Sequence, residues 1–370
     1  MRTLFHNGHF FTGTELVNDR ALLINGDRIE GFAGPGSEPA DADRIDCGGS
    51  LVIAGLIDLQ IAGGGGYLFS SNPNPEALAV ITDSIISTGT TGFLLALPTN
   101  TEEVYHEAFR TIEGFANPAV MGVHLEGPFI SHSRRGAHAP ELIRKPDSEN
   151  VESLLTHAGK AIKMMTVAPE ECTPDVIRQL KEHGITVAAG HSNATFMQAA
   201  AGFEMGVETV THLFNAMTPL HHRDPGLPGA AFLSSTACAS IIADGIHVDY
   251  SMVAIAKKIM KERLFLVSDA VEVNERGAYR HVRQEDRFTL PDGTLSGAKL
   301  SMLDAVRNCV NHAGIDLYEA IRMATLYPSR LIRAEDRGVI APGARADLLV
   351  LDDELRLKGI CFNGITELMK

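Results

Sequence analysis

Four short segments of this 370-residue chain each end an apolar stretch on a side chain that can bind a metal ion or move a proton. They are 123–128 (Val-His-Leu-Glu-Gly-Pro), 189–194 (Ala-Gly-His-Ser-Asn-Ala), 211–217 (Thr-His-Leu-Phe-Asn-Ala-Met) and 267–270 (Val-Ser-Asp-Ala). Their chemically active members are Glu126, His191, His212 and Asp269. Singly, each has an ordinary explanation. A lone Glu is most often a surface or capping residue, a His at a strand end is most often a satisfied structural residue, and Asp is a frequent helix N-cap. No two of these histidines have a local ligand spacing such as His-x-x-x-His. Together, one carboxylate and two imidazoles make the donor set of a catalytic metal centre that leaves a position open for water. A second carboxylate beside that water would act as general base and then return the proton to a leaving amine. Asp269 follows the apolar run 264–267, where an unpaired charge is costly, so it needs a partner.

These residues can cooperate only if the fold gathers strand ends in one place. From about residue 51 the chain alternates apolar strands with amphipathic helices. The spacing predicts eight strands at 51–60, 92–97, 120–125, 162–168, 185–189, 209–213, 240–243 and 264–268. The clearest helices fall near 75–88, 102–115, 174–183, 194–205 and 251–261. The strands are almost continuously apolar, as parallel strands covered on both faces should be. Eight of them, with functional residues at several C-terminal ends, favour a closed (β/α)8 barrel over an open doubly wound sheet. The expected class is therefore α/β, with the barrel over 53–334. Residues 1–52 and 335–370 are rich in short strands and turns, and are expected to pair as one small β-sandwich domain built from both termini. Two long connections, 218–236 and 271–297, interrupt the rhythm; such loops often carry binding roles, and 271–292 is the expected lid.

A formal charge of −14 argues against nucleic-acid binding, which needs a basic footprint. It also means that a phosphate must be met by a local cation. Five scattered cysteines without a Cys-x-x-Cys pair read as reduced thiols, and no run is long and apolar enough for a membrane span. A cytoplasmic enzyme is the expectation.

In order, these segments resemble the amidohydrolase superfamily, and within it the N-acetylglucosamine-6-phosphate deacetylase family. The similarity spans nearly the whole chain. Besides the segments above it includes 243–249 (Ala-Asp-Gly-Ile-His-Val-Asp), 293–297 (Gly-Thr-Leu-Ser-Gly), 323–328 (Met-Ala-Thr-Leu-Tyr-Pro) and 343–348 (Gly-Ala-Arg-Ala-Asp-Leu). The resemblance implies hydrolysis of the N-acetyl group of an amino-sugar phosphate by a metal-activated water. Glu126, His191 and His212 match the metal ligands, Asp269 the catalytic acid/base, and His138 the histidine that polarises the acetyl carbonyl. Ala137, Asn215, Ala216, Arg223, His247, Leu295, Ser296 and Gly297 match substrate-binding positions, several of them directed at the phosphate. Arg223 in that family can reach the neighbouring subunit's site, which implies a homodimer. The implied cofactor is one divalent ion per site, zinc first, with iron(II), cobalt or manganese open.

The count of one rests on the first strand. Many amidohydrolases end it on His-x-His, which holds a second metal; here the positions are Gln60 and Ala62. An amide coordinates weakly and a methyl not at all. Mononuclear members also carry Gln there, usually with Asn two residues on, so Ala62 departs even from them.

Three rivals stand beside this reading: deacetylation of the galactosamine epimer, another amidohydrolase reaction on the same scaffold, and a non-catalytic sugar-phosphate binder. Asp269 together with a complete ligand trio speaks against the last.

Overall fold

The computed structural model describes residues 2–34, 36–275 and 277–369. Eight parallel strands form one sheet in sequential order: β1 (Leu56–Ile61), β2 (Thr90–Pro98), β3 (Val120–Glu126), β4 (Ile162–Val167), β5 (Thr186–Ala189), β6 (Thr209–Val210), β7 (Cys238–Ile241) and β8 (Leu264–Leu266). The first and last strands meet just beyond their ends. Asp269 N–H donates to Gln60 O at 2.9 Å and Ala62 N–H to Ala270 O at 2.8 Å, closing the barrel. The helices that cover it are α1 (Pro75–Ser87), α2 (Glu102–Glu113), α3 (Ser148–Ala158), α4 (Pro174–Glu182), α5 (Phe196–Met205), α6 (Gly226–Leu233), α7 (Tyr250–Met260) and α8 (Met302–Asn311).

Most of these helices start where a short polar side chain can take an orphan backbone N–H. Asn74, Thr101, Asp147, Thr173, Thr195, Asp249 and Ser301 all do so. Thr195 and Gln198 complete a reciprocal capping box. The exception is α6, whose N-cap is Pro225 with no side-chain bond. It lies in the connection 218–236, which the sequence marks only as a Pro- and Gly-rich loop. Burial of Leu227, Ala230 and Ala231 against the barrel overrides the weak helix propensity of Gly-Leu-Pro-Gly.

The apolar stretch 51–60 is two strands rather than one. Leu51–Ala54 pairs with His9–Phe11 and with Leu348–Leu351, while β1 begins after Gly55. A Cβ on Gly55 would collide with the Thr91 side chain, so the chain can pass from one sheet to the other only on a glycine. The six-stranded sheet around Leu51–Ala54 therefore draws strands from both ends of the chain. A second, four-stranded sheet comes from Arg2–His6, Ala21–Asn25, Arg28–Ala33 and Asp43–Asp46 alone. Phe5, Phe10, Leu22, Ile24, Val52, Leu348 and Val350 are buried together in one apolar cluster. Arg337 joins this region to the barrel, donating to Thr91 O at 3.3 Å and to Asp347 Oδ2 at 3.1 Å.

Candidate active site

Glu126 is the last residue of β3, and a one-in-two alternation puts His124 on the same inward face. His124 is fully buried; its Nδ1 lies 2.9 Å from Leu59 O, and its Nε2 2.7 Å from Thr166 Oγ1. Burial pushes its pKa down to about 4, so it stays a neutral part of the barrel floor.

His191, His212 and Asp269 lie two or three residues beyond β5, β6 and β8. All three have left-handed backbones, with φ of 46°, 35° and 52°. That conformation costs on the order of 1–3 kcal/mol for a non-glycine residue and persists only where the surroundings enforce it. It turns each side chain from the strand direction into the mouth. Gly190 makes room for the first of these turns: a Cβ there would come within 2.8 Å of Thr166 Cγ2 and 2.9 Å of Thr211 Cβ. Glu170 braces the same turn, accepting from Ser192 Oγ at 2.7 Å and from Asn193 N–H at 2.5 Å.

Glu126 Oε1 lies 3.3 Å from His191 Nε2 and 3.0 Å from His212 Nε2, and the two imidazole nitrogens are 3.1 Å apart. The His191 Nδ1–H donates to Arg134 O at 3.1 Å, which leaves the Nε2 lone pair facing the cluster. Among the described residues this trio is the one His, Cys, Asp or Glu group whose donor atoms all lie within 4.8 Å of one another. Burial would raise the Glu126 pKa, but the two histidines, when their Nε2 atoms carry protons, outweigh that and hold it well below the usual carboxylate range. Two imidazole nitrogens and a carboxylate oxygen aimed at one point fit a divalent cation.

Gln60 supplies what the sequence left open. Its Nε2 donates to Glu126 Oε1 and to Asp269 Oδ1, each at 2.9 Å. The position that carries a second-metal histidine in many amidohydrolases here holds two carboxylates in register. Asp269 thereby has the partner its apolar strand demands. Burial, then the nearby Glu126 carboxylate, raise its pKa to about 7.

This shift has a consequence for stability. With the folded-state pKa above the unfolded value, protonated Asp269 favours the fold fully below about pH 4, and that contribution is lost as pH rises through 7. In metal-free protein, Asp269→Asn should therefore raise Tm by a few degrees at pH 8 and change it little at pH 4. Paired thermal melts at the two pH values check this; an equal shift at both would contradict it.

His138 sits on the loop after β3, its ring 4.4 Å from that of His191. Thr99 N–H donates to its Nδ1 at 3.3 Å, so the ring proton is on Nε2. Burial, then His191, lower its pKa to about 3, making it a neutral hydrogen-bond donor. His247 is held by Asp244, with Nδ1 2.6 Å from Oδ2. Asp244 also accepts from the Ile246 and His247 amides, at 2.9 and 2.8 Å. Its Asp-Gly-Ile-His spacing was the signal available for this orienting role.

These side chains line one cavity of about 270 Å³, which includes Glu126, Ala137, His138, His191, His212, Asn215, Ala216, His247, Asp269, Leu295, Ser296 and Gly297. Arg223 is not among them. It stands exposed on the loop before α6, and no described lining residue is Lys or Arg. The segment after β8 closes over the cavity as a three-stranded antiparallel sheet: Val282–Arg283, Arg287–Thr289 and Leu295–Ala298. Tyr279 and His281 are among the lining residues it contributes that sequence reasoning missed. Tyr279 OH donates to Thr99 O, and His281 Nδ1 lies 2.9 Å from Ser296 Oγ. Neither follows from periodicity, because the segment has none.

The sequence profile of the amidohydrolase family matches residues 51–368. N-acetylglucosamine-6-phosphate deacetylase of Haemophilus influenzae is 33% identical, over 98% of this chain and 99% of that protein. N-acetylgalactosamine-6-phosphate deacetylase of Shewanella sp. is 33% identical, over 88% of this chain and 85% of that one. The crystal structure of N-acetylglucosamine-6-phosphate deacetylase from Pasteurella multocida superposes with a TM-score of 0.95, at 30% identity and over 100% of both chains. An eight-stranded barrel whose strand ends gather a Glu-His-His trio beside an aspartate agrees with these likenesses, and the chain belongs to the amidohydrolase family.

Proposed function

We propose that this chain hydrolyses the acetamide of N-acetylglucosamine-6-phosphate, giving acetate and glucosamine-6-phosphate. The observation that carries the reading is the convergence of Glu126, His191 and His212 on one point, with Asp269 tied to the same cluster through Gln60. Likeness to deacetylases over nearly the full chain supports the substrate.

Glu126, His191 and His212 would hold one divalent ion, with zinc suited to this donor set. When bound, such an ion acidifies a water and draws electron density from the acyl oxygen. Asp269, its Oδ1 fixed by Gln60, takes the proton of the attacking water. His138 Nε2–H donates to the acyl oxygen as negative charge builds on it. As the C–N bond breaks, Asp269 returns its proton to the nitrogen, and a free amine leaves. Asn215, Ala216 and His247 would anchor the sugar phosphate from the far side of the mouth.

The absence of Lys and Arg from the described lining supports a homodimer in which a second copy brings Arg223 to the phosphate, bidentately. Five free cysteines agree with a cytoplasmic setting, and among the described residues no helix is long and apolar enough to cross a membrane.

A second reading, deacetylation of N-acetylgalactosamine-6-phosphate, is favoured by the Shewanella relative. Acetate release from both epimers by metal-reconstituted protein tests the pair. The expected result is a kcat/KM at least tenfold higher for the gluco substrate; the reverse order would transfer the proposal to the galacto epimer, and no release from either would end it.

A further inference from the structure

The segment after β8 is fastened to the barrel in two places. Close to β8, Ala298 N–H donates to Asp269 O at 2.8 Å and Val271 N–H to Ala298 O at 3.3 Å. Farther along, Asn274 Nδ2–H donates to Ser71 Oγ at 3.0 Å, and Tyr279 OH donates to Thr99 O. The contact between His281 Nδ1 and Ser296 Oγ, at 2.9 Å, ties these two attachments together. Tyr279 is thus held from behind by the sheet and in front by Thr99.

Thr99 is fully buried, and among the described residues no other donor reaches its carbonyl. The same residue holds His138: its N–H donates to Nδ1 at 3.3 Å, and its Oγ1 lies 2.7 Å from that nitrogen. Tyr279 also stands edge-on to the imidazole, with ring centroids 6.1 Å apart at an angle of 87°. Burial holds the phenol well above its usual pKa, so it stays a donor.

His138 needs this support. It sits on a loop rather than at a strand end, and a loop places a side chain less exactly than a strand does. A donor to an oxyanion works only where its N–H meets the oxygen at hydrogen-bond distance, so small displacements weaken it. The groups that fix the His138 ring are Thr99, the ring of His191 and Tyr279.

We propose that Tyr279 is a positioning residue, which aligns the His138 Nε2–H with the acyl oxygen by anchoring Thr99 and by packing on the imidazole. The assignment rests on the deacetylase reading and deepens it. The Tyr279 hydroxyl is spent on Thr99 O and gives nothing to the substrate carbonyl directly. Its effect passes through His138 alone.

The test uses the metal-reconstituted full chain and two substrates, N-acetyl- and N-trifluoroacetyl-glucosamine-6-phosphate. Fluorination makes the carbonyl more electrophilic and its oxyanion less basic, so hydrolysis of that amide leans less on a hydrogen-bond donor. Tyr279→Phe keeps the ring against His138 and removes only the bond to Thr99. It should lower kcat for the acetyl substrate about tenfold, short of the hundredfold or more that follows outright loss of an oxyanion donor. The loss on the trifluoroacetyl substrate should stay below about threefold, and KM for either should change by less than about twofold. Thr99→Val, which takes Oγ1 from His138 and leaves the backbone bond to Tyr279, should give the same pattern. A general loosening of the fold would slow both substrates alike. Equal losses on the two substrates in either variant, or no loss in Tyr279→Phe, would therefore overturn the positioning role. Should wild-type protein release no acetate, the deacetylase reading fails instead; should it do so while the two losses are equal, the assignment of Tyr279 alone fails.

Discussion

Asp269→Asn is expected to lower kcat by about a thousandfold or more, while the bound metal and the substrate dissociation constant change by less than about threefold. The amide is nearly isosteric with the carboxylate and keeps an oxygen for the Gln60 Nε2–H to bond, so the cluster keeps its shape. What it lacks is a basic site for the water's proton, and a proton to return to the departing nitrogen. No second carboxylate in the cavity can substitute, because Glu126 is committed to His191 and His212. Steady-state acetate release together with calorimetric substrate binding separates the two effects. A near-normal kcat would remove Asp269 from the reaction; loss of binding in step with kcat would make its role structural.

Glu126→Gln should be as damaging for a different reason. Glu126 Oε1 is the atom shared by His191 Nε2, His212 Nε2 and Gln60 Nε2. Replacing the carboxylate with an amide removes the anionic donor, while the amide oxygen can still accept from Gln60 Nε2. Amides are weak ligands for transition metals, so the variant should retain less than about a tenth of an ion per chain after dialysis and lose about a thousandfold in turnover. Elemental analysis of dialysed protein checks the first figure. Full occupancy in the variant would show that the ion is held elsewhere.

The four strand-end residues were legible because each combines a reactive side chain with an uninterrupted apolar run, and eight such runs favour closure. Their exact turn into the mouth was not. The left-handed backbones of His191, His212 and Asp269 oppose local preference and are imposed by tertiary packing, to which Gly190 and Glu170 contribute. Gln60 was read only as a poor ligand; its bridging role depends on a contact 209 residues away along the chain. Tyr279 and His281 were invisible because the segment after β8 has neither helical nor strand periodicity, and α6 because its composition suits a turn. The stretch 51–60 hid a change of sheet, since both halves are apolar and only the crowding of Thr91 against Gly55 marks the break. Arg223 keeps its place in the account through chemistry, as a cation that the described lining of this cavity lacks.

If Glu126, His191 and His212 hold the single ion of an amide hydrolase, metal-free protein titrated with zinc should show it as acetate release from N-acetylglucosamine-6-phosphate. Activity should rise from the chelated baseline in proportion to added ion and stop rising sharply at one equivalent per chain. A plateau reached only at two equivalents, or acetate release by the chelated protein at the full rate, would contradict it.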